Sequence, residues 1–163
     1  MTEAMSYVAY LKLEGIAGEC TEGSHRDWMV IDSFSQSVAG PQERGGRTML
    51  SDFAINKLVD RSTPQLARAT AEGRHFKEAV LELCTNEGLR PKFMEIRFTN
   101  VRVTTYGFSG APQSDAKTPY ENMTIHFEKI EWLYFPNAFM PGREREPAVC
   151  KSAWANDNQQ TTV

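Results

Sequence analysis

The sequence of 163 residues has few cysteines, no long hydrophobic run and no excess of positive charge. Its cysteines, Cys20, Cys84 and Cys150, are far apart and form no CxxC pair. This spacing argues against a zinc site or a dithiol redox motif, and it predicts three reduced thiols in a chain made in the cytoplasm. The formal net charge of −3 supplies no basic field for nucleic acid and no polybasic membrane patch.

The sequence also lacks the signals of a membrane-spanning protein and of a protein secreted with a cleaved signal peptide. No apolar stretch approaches the length of a membrane span. The N-terminal residues lack the basic and apolar regions of a cleaved secretory signal peptide. With 40% hydrophobic residues, the chain is long enough to bury a core without disulfides or a metal. We therefore predict a single domain over 1–163, with its core at about 5–135 and a C-terminal strand and tail at 136–163.

Catalytic motifs are missing as well. The sequence contains neither the GxSxG of a nucleophile elbow nor the GxxxxGK[ST] of a phosphate loop. Cys84 lies within an apolar strand pattern, which predicts an inert buried thiol. Glu128 and Glu131 are close in sequence, but a change of strand parity between them leaves no defined acid/base pair. We predict no catalytic residue and no cofactor, and hence no enzyme.

The three histidines give no metal or catalytic pattern. His25 lies in a glycine-rich loop five residues after Cys20, but the local sequence supplies no further ligands with zinc-type spacing. We therefore predict no metal site. His75 is expected to bond a backbone carbonyl or to face solvent, and His126 is expected on the exposed polar face of its strand.

One segment near the middle of the chain carries a helix signal. Ser62 and Thr63 can cap a helix start with a side-chain oxygen. Pro64 suits the first helical position, and Gly73 suits the left-handed residue that ends a helix. These positions predict a short helix over about 62–73.

Strand patterns surround this helix on both sides. In two of the longest strand patterns, the apolar residues change from one face of the strand to the other, near Thr99–Asn100 and after Phe127. This change of parity predicts a bulge or a strand that passes between sheets. The predicted fold is mainly β: a compact antiparallel β-barrel or sandwich with one short flanking helix. The strands are expected at Tyr7–Leu13, Trp28–Val38, Thr48–Leu58, Ala79–Cys84, Phe93–Thr105, Tyr120–Phe135 and Ala148–Asn156.

Two polar features of this β-structure suggest contacts. Ser33, Ser35 and Ser37 alternate along one strand, which predicts a sheet face turned toward water. The charged Gly/Pro loop 39–47 is longer than a usual hairpin loop, and long ordered loops often carry contacts, although a solvated loop is the plainer interpretation. Many long strands also leave unpaired edges, and symmetric association into a ring would satisfy them.

Several blocks of the sequence resemble one known family. The segment DRSTPQLARATAEGRHFKEAVLELC is similar to the helix-and-strand signature of the Hcp family, the haemolysin-coregulated tube proteins of bacterial type VI secretion. The resemblance covers roughly residues 5 to 158. The other matching blocks, in the same order, are YVAYLKLEGIAGEC, WMVIDSFSQSVAGP, FMEIRFTNVRVTTYGFSG followed by PYENMTIHFEKIEWLY, and faintly SAWANDN.

The resemblance implies a structural protein of the secretion tube. Homohexameric rings would stack into a tube inside a contractile sheath, bear a VgrG-type spike and hold small effector proteins in the lumen. The subunit would assemble in the bacterial cytoplasm and leave without a cleaved signal, with neither nucleic acid nor membrane insertion involved.

The resemblance also implies roles for particular residues. Ser33 and Ser35 fall on the strand that matches the lumen side. Gln36 departs from the family, whose members often have an aromatic residue there, and the segment 136–147 is unlike the expected tail. Fewer than 30 residues follow Phe135, which is too few for an added toxin domain. The loop 39–47 matches the extended loop that contacts neighbouring subunits or rings, which makes these residues interface candidates: Pro41, Gln42, Glu43, Arg44 and Gly45.

Two other functions remain as alternatives. A monomeric β-barrel could bind a small ligand in its interior, but the dense inward-facing apolar residues predict a filled core. A hydrolase with His25 or His126 at its site is the second alternative, and loss of turnover on alanine replacement would test it.

Overall fold

A computed structural model describes residues 7–86, 91–136 and 150–155. Within these ranges the chain is mainly β with a single α-helix. The elements in chain order are β1 (Tyr7–Leu13), a 3-10 helix (Gly23–His25), β2 (Met29–Ile31), β3 (Ser33–Ser35), β4 (Val38–Ala39), β5 (Met49–Leu50), β6 (Phe53–Leu58), α1 (Thr63–Glu72), β7 (His75–Thr85), β8 (Lys92–Ser109), β9 (Tyr120–Tyr134) and β10 (Cys150–Ala155).

The large sheet is antiparallel and nearly closes on itself. Its strand order is β2-β1-β7-β8-β9-β6-β3, with β10 paired to β9, and β4 and β5 form a separate two-stranded sheet. Although β2 and β3 lie at opposite ends of this order, only Asp32 separates them in the chain. The Asp32 backbone N–H donates to the Asn56 carbonyl at 2.9 Å, which links the two edges. The predicted β-barrel with one short helix is confirmed.

The barrel interior is filled with apolar side chains. Strand alternation turns Leu11, Leu81 and Ile125 inward, where each is fully buried. Phe98 lies at the centre, with ring centroids 5.1 Å from Phe53 and 5.3 Å from Phe127. This packing argues against a barrel that holds a small ligand in its interior.

The helix begins and ends close to the predicted residues. Pro64 lies in its first turn, and Gly73 ends it in the left-handed region at φ +64°. The predicted side-chain cap is wrong: the Ser62 hydroxyl donates to the Asp60 carboxylate, and the Thr63 hydroxyl donates to Glu121 at 2.9 Å. Polar groups outside the helix therefore take the two hydroxyls that were expected to cap it.

Two predicted strands are interrupted in the structure. The strand expected at Trp28–Val38 is three short strands, and the strand expected at Thr48–Leu58 is two. The first break, at Asp32, is where the chain crosses from one edge of the sheet to the other. The remaining breaks lie on either side of the β4–β5 hairpin, which projects from the barrel with its own pairing.

The parity flips in β8 and β9 face each other. Asn100 has a positive φ of 51°, yet Thr99 pairs with Lys129 and Val101 pairs with Phe127 in one unbroken register. Both strands therefore change parity together. The register shift lies instead between Val103 and Thr105, so the bulge predicted at Thr99–Asn100 is wrong in position.

The C-terminal strand is confirmed as β10, Cys150–Ala155, within the predicted range Ala148–Asn156. Most of the 136–147 segment lies outside the described residues. In the part of the chain that the structure describes, no helix has the length and hydrophobicity needed to cross a membrane. The assignment of 1–163 to a single domain stays a prediction.

Candidate functional site

The first candidate surface is the hairpin of residues 38–50, which we call the arm. The predicted interface residues Pro41 to Gly45 lie in its turn, and all five are exposed. The Gly46 N–H donates to the Glu43 carbonyl at 2.8 Å and closes the turn, while Gly45 supplies a φ of +83°. The arm is therefore an ordered projection rather than a loop folded on the barrel.

The arm also carries exposed apolar side chains. Met49 is 70% exposed and Val38 is 55% exposed. Two hydrogen bonds between Ser37 and Ser51 hold the two ends of the arm together. The Ser37 N–H donates to the Ser51 hydroxyl at 2.9 Å, and the Ser51 N–H donates to the Ser37 carbonyl at 3.0 Å. Apolar side chains that an ordered hairpin keeps exposed to solvent are typical of an interaction surface.

The second candidate surface is a strip of polar residues on the outside of β3, β6, β9 and β8, which we call the polar face. The predicted lumen residues Ser33 and Ser35 are exposed on it. The strand pairing continues the strip, since Ser33 pairs with Asn56 and Ser35 pairs with Ala54. Its polar members are Ser33, Ser35, Asn56, Asn122, Thr124, Thr105 and His126.

Hydrogen bonds tie the polar face together across the strands. Asn56 donates its side-chain amide to the Ser33 hydroxyl at 3.0 Å. The hydroxyls of Thr105 and Thr124 are 2.6 Å apart. His126 Nδ1 lies 3.0 Å from Asp52 Oδ1, and His126 is exposed as predicted.

Two further groups of charged residues are partly or fully buried. The first, the lysine cluster, lies beneath the start of the helix and consists of Lys57, Asp60, Ser62, Thr63, Tyr106 and Glu121. Alternation along β6 turns Lys57 inward after Phe53 and Ile55, and its side chain is 1% exposed. Its ammonium donates to Asp60 at 2.9 Å and forms an ion pair with Glu121.

The lysine cluster joins the helix to three strands. Glu121 of β9 accepts hydrogen bonds from Thr63 of the helix and from the Tyr106 hydroxyl of β8. Burial, and then the hydrogen bond to Glu121, raises the pKa of Tyr106 well above its usual value of 10.0. The phenol therefore stays protonated and continues to donate its proton to the carboxylate.

The second group, the histidine cluster, lies on the outside of β1 and β7 and consists of Glu22, His25, Glu82, Cys84, Lys92 and Glu95. The loop between β1 and β2 folds over this face of the sheet. The Gly18 N–H donates to the Asp27 carbonyl at 2.7 Å. A Cβ on Gly18 would lie 2.4 Å from the Trp28 carbonyl oxygen, so glycine permits this close approach.

His25 is the centre of the histidine cluster. Its Nδ1 lies 2.6 Å from Glu22 Oε2, and its Nε2 lies 2.6 Å from Glu82 Oε2. The Sγ atom of Cys84 is 3.9 Å from Nε2. Tyr10 stacks on the imidazole at 4.0 Å with an interplanar angle of 10°. The ring is therefore held in position on one face and at both nitrogens.

Further charges balance the carboxylates. Lys92 Nζ lies 3.3 Å from Glu82 Oε1 and 2.8 Å from Glu95, which also pairs with Arg97 at 2.5 Å. Burial raises the pKa of Glu95, but the hydrogen bonds and charges of Lys92 and Arg97 outweigh burial and hold the pKa below its ordinary value.

The sequence alone does not reveal this grouping. No further ligands lie near Cys20 and His25 in the sequence, but the structure brings Glu82 and Cys84 to His25 from a distant strand. Donor atoms of these three residues all lie within 4.8 Å of one another. The alternation of β7 indicates that Glu82 and Cys84 share a face, but no local signal shows that His25 covers it. Cys84 is buried as predicted, and Cys20, Cys84 and Cys150 form no disulfide bond with one another.

The remaining candidates are separate from one another. His75 is exposed on β7. Glu128 accepts a hydrogen bond from Asn100 at 2.6 Å, while Glu131 pairs with Lys151 at 3.3 Å. The two carboxylates thus have different partners, and the structure does not bring them together.

Comparison with known proteins gives one family. A model of the family described as Type VI secretion system effector, Hcp, matches residues 10–134. Protein hcp1 of Pseudomonas aeruginosa is 25% identical over 140 residues, which are 81% of this chain and 85% of that protein.

Solved structures share the fold. A type six secretion system protein has a TM-score of 0.83 at 24% identity, over 94% of this chain and 98% of its own. Hcp1 from Salmonella typhimurium has a TM-score of 0.80 at 18% identity, over 95% of this chain and 98% of its own. The nearly closed barrel described above is therefore similar to these structures along almost its whole length.

Proposed function

Because the chain belongs to the Hcp family of type VI secretion system effectors, we propose that it is a structural subunit of the inner tube of such a system. Homohexameric rings of this chain stack into a tube, which carries a VgrG-type spike inside a contractile sheath and delivers effector proteins through its lumen. The observation that carries the proposal is the family match over residues 10–134, which spans most of the barrel.

The arm supports self-assembly. It offers apolar side chains on a fixed projection, and Met49 and Val38 are too exposed to stabilise the monomer. A head-to-tail contact between the arm and the body of a neighbour leaves each copy with one donor and one acceptor surface, and such contacts form a ring when the rotation from one copy to the next closes. Pro41 to Gly45 lie in the arm's turn and contact the neighbouring subunit or ring in this proposal.

The polar face supports the position of the lumen. Ser33 and Ser35 continue into a strip of amide, hydroxyl and imidazole groups across four strands. In a ring these faces line the bore, where short polar side chains allow an effector to remain hydrated and to pass. The role is mechanical, with no catalysis, and the subunit assembles in the cytoplasm and leaves without a cleaved signal peptide.

The mass of the protein in solution tests this proposal. Light scattering on a gel-filtration peak in reducing buffer, over a dilution series, should give a mass near six times the 18.4 kDa of one chain. A monomer at every concentration would contradict ring formation by the chain alone.

A charge placed on the arm tests where the contact lies. Met49→Glu should lower the mass to that of the monomer while the circular dichroism spectrum stays unchanged, since Met49 is 70% exposed. Arg68→Gln on the exposed face of the helix is the matched control, because it also lowers the net charge by one. An intact ring in Met49→Glu would show that the arm does not form the contact between subunits.

A further inference from the structure

We propose that the histidine cluster binds a zinc ion through His25 Nε2, the Glu82 carboxylate and Cys84 Sγ. The donor atoms already lie within 4.8 Å of one another. Zinc takes nitrogen, sulfur and carboxylate oxygen ligands, and this set provides one of each. The site lies outside the barrel core, and none of its residues belongs to the arm or to the polar face.

The distances suit a zinc site with little movement. Bonds of about 2.1 Å to nitrogen and about 2.3 Å to sulfur span a gap of 3.9 Å at an angle of roughly 125°. That gap is the distance between His25 Nε2 and Cys84 Sγ. Glu82 alone must turn away from the imidazole, because its oxygen now lies 2.6 Å from Nε2.

The groups around these ligands orient them. Glu22 lies against Nδ1 of His25, which leaves Nε2 as the nitrogen for the metal, and carboxylates commonly hold ligating histidines in this way. Lys92 lies against the other oxygen of Glu82. Tyr10 fixes the plane of the ring. These neighbours act as positioning residues around the three ligands.

Burial and charge balance also fit a divalent ion. His25 is 5% exposed and Cys84 is fully buried, while the Glu82 side chain is 14% exposed, so a water molecule could supply the fourth ligand that zinc requires. On binding, bonds form from zinc to nitrogen, oxygen and sulfur. Any proton on His25 Nε2 and the thiol proton of Cys84 would pass to solvent. The thiolate and the Glu82 carboxylate then neutralise the two charges of the ion.

Metal titration of the full chain tests the proposal. After a chelator wash in reducing buffer, cobalt(II) alone should bind at one ion per chain and give a near-ultraviolet thiolate-to-cobalt absorption band, and zinc(II) should then displace it. Cys84→Ser should abolish the band and weaken zinc binding by at least tenfold. Cys150→Ser is the matched control, because Cys150 is an exposed thiol on β10, and it should change neither.

Further variants keep the test decisive. Glu22→Gln should weaken zinc affinity by about 10–100-fold while the cobalt band remains, as expected of a positioning residue. If Cys84→Ser does not fold, a chain with Cys20→Ser and Cys150→Ser retains Cys84 as its only thiol and should keep the band. Absence of the band from the unaltered chain, or its persistence without Cys84, would overturn the proposal.

Discussion

The lysine cluster and the histidine cluster both bury charge, but they are built from different groups. In the lysine cluster, the Lys57 ammonium lies between the carboxylates of Asp60 and Glu121. The hydroxyls of Thr63 and Tyr106 donate to the Glu121 oxygen that does not pair with Lys57. In the histidine cluster, an imidazole and a thiol lie among the carboxylates, and both can exchange a proton for a metal ion. Buried charge by itself is therefore a poor indicator of function, and the kind of donor atom separates the structural cluster from the candidate binding site.

The largest expected effect is in the lysine cluster. Lys57→Met should lower the free energy of unfolding by about 3–5 kcal/mol, because it leaves the buried Glu121 and the partly buried Asp60 without their cation. Urea unfolding followed by circular dichroism measures the loss. Arg68→Met is the control, since Arg68 pairs with Glu72 on the exposed helix surface and its removal should cause no measurable change. A Lys57→Met protein as stable as this control would mean that the cluster is not structural.

A smaller loss is expected in the histidine cluster of the metal-free protein. His25→Gln should lower the free energy of unfolding by about 1–3 kcal/mol, because the amide can replace one of the two hydrogen bonds to Glu22 and Glu82. The same urea experiment compares the two variants directly. If His25→Gln were the more destabilising change, the histidine cluster would be the main structural element and the contrast would be reversed.

The smallest expected effect is a dependence on acid pH. The pKa of Glu95 is lower in the folded protein than its ordinary value of 4.5, because Lys92 and Arg97 outweigh the effect of burial. The unfolded chain therefore binds this proton at a higher pH than the folded chain does. The contribution of Glu95 to stability is present above pH 4.5 and is lost as the pH falls through the folded value.

Unfolding measured between pH 6 and pH 2 tests this dependence. Lys92→Met should be less stable than the unaltered chain near pH 6 and should lose less further stability on acidification. Glu128→Gln, which alters an exposed carboxylate of β9, provides the comparison. Parallel pH curves for Lys92→Met and the unaltered chain would show that Lys92 does not set the pKa of Glu95.

Local signals allowed part of this structure to be predicted. The bounds of β1 match the prediction, and Pro64 and Gly73 mark the helix, because alternation and helix-terminal residues act over a few positions. The breaks in the second and third predicted strands depend on which edge each piece pairs with. A single alternating pattern does not contain that information, so both strands are predicted as continuous, and only residues 39–47 of the arm as a loop.

The histidine cluster could not be predicted for a similar reason. Glu82 and Cys84 lie 57 and 59 residues from His25 in the chain, and the three meet only because β1 and β7 pair beneath the covering loop. Ligand spacing can be read from a sequence when the ligands share one loop or helix. Here the fold itself brings the donor atoms together.

The continuity of β2 and β3 through Asp32 has a mechanical consequence. The same short stretch of backbone pairs with β1 on one side and with β6 on the other. A force that peels a strand from an open sheet breaks its hydrogen bonds one pair at a time. Here neither β1 nor β6 presents a free border at this seam, so pulling the seam apart loads both ladders at once. A barrel whose two edges are joined in this way should resist tearing better than an open sheet with the same number of strands.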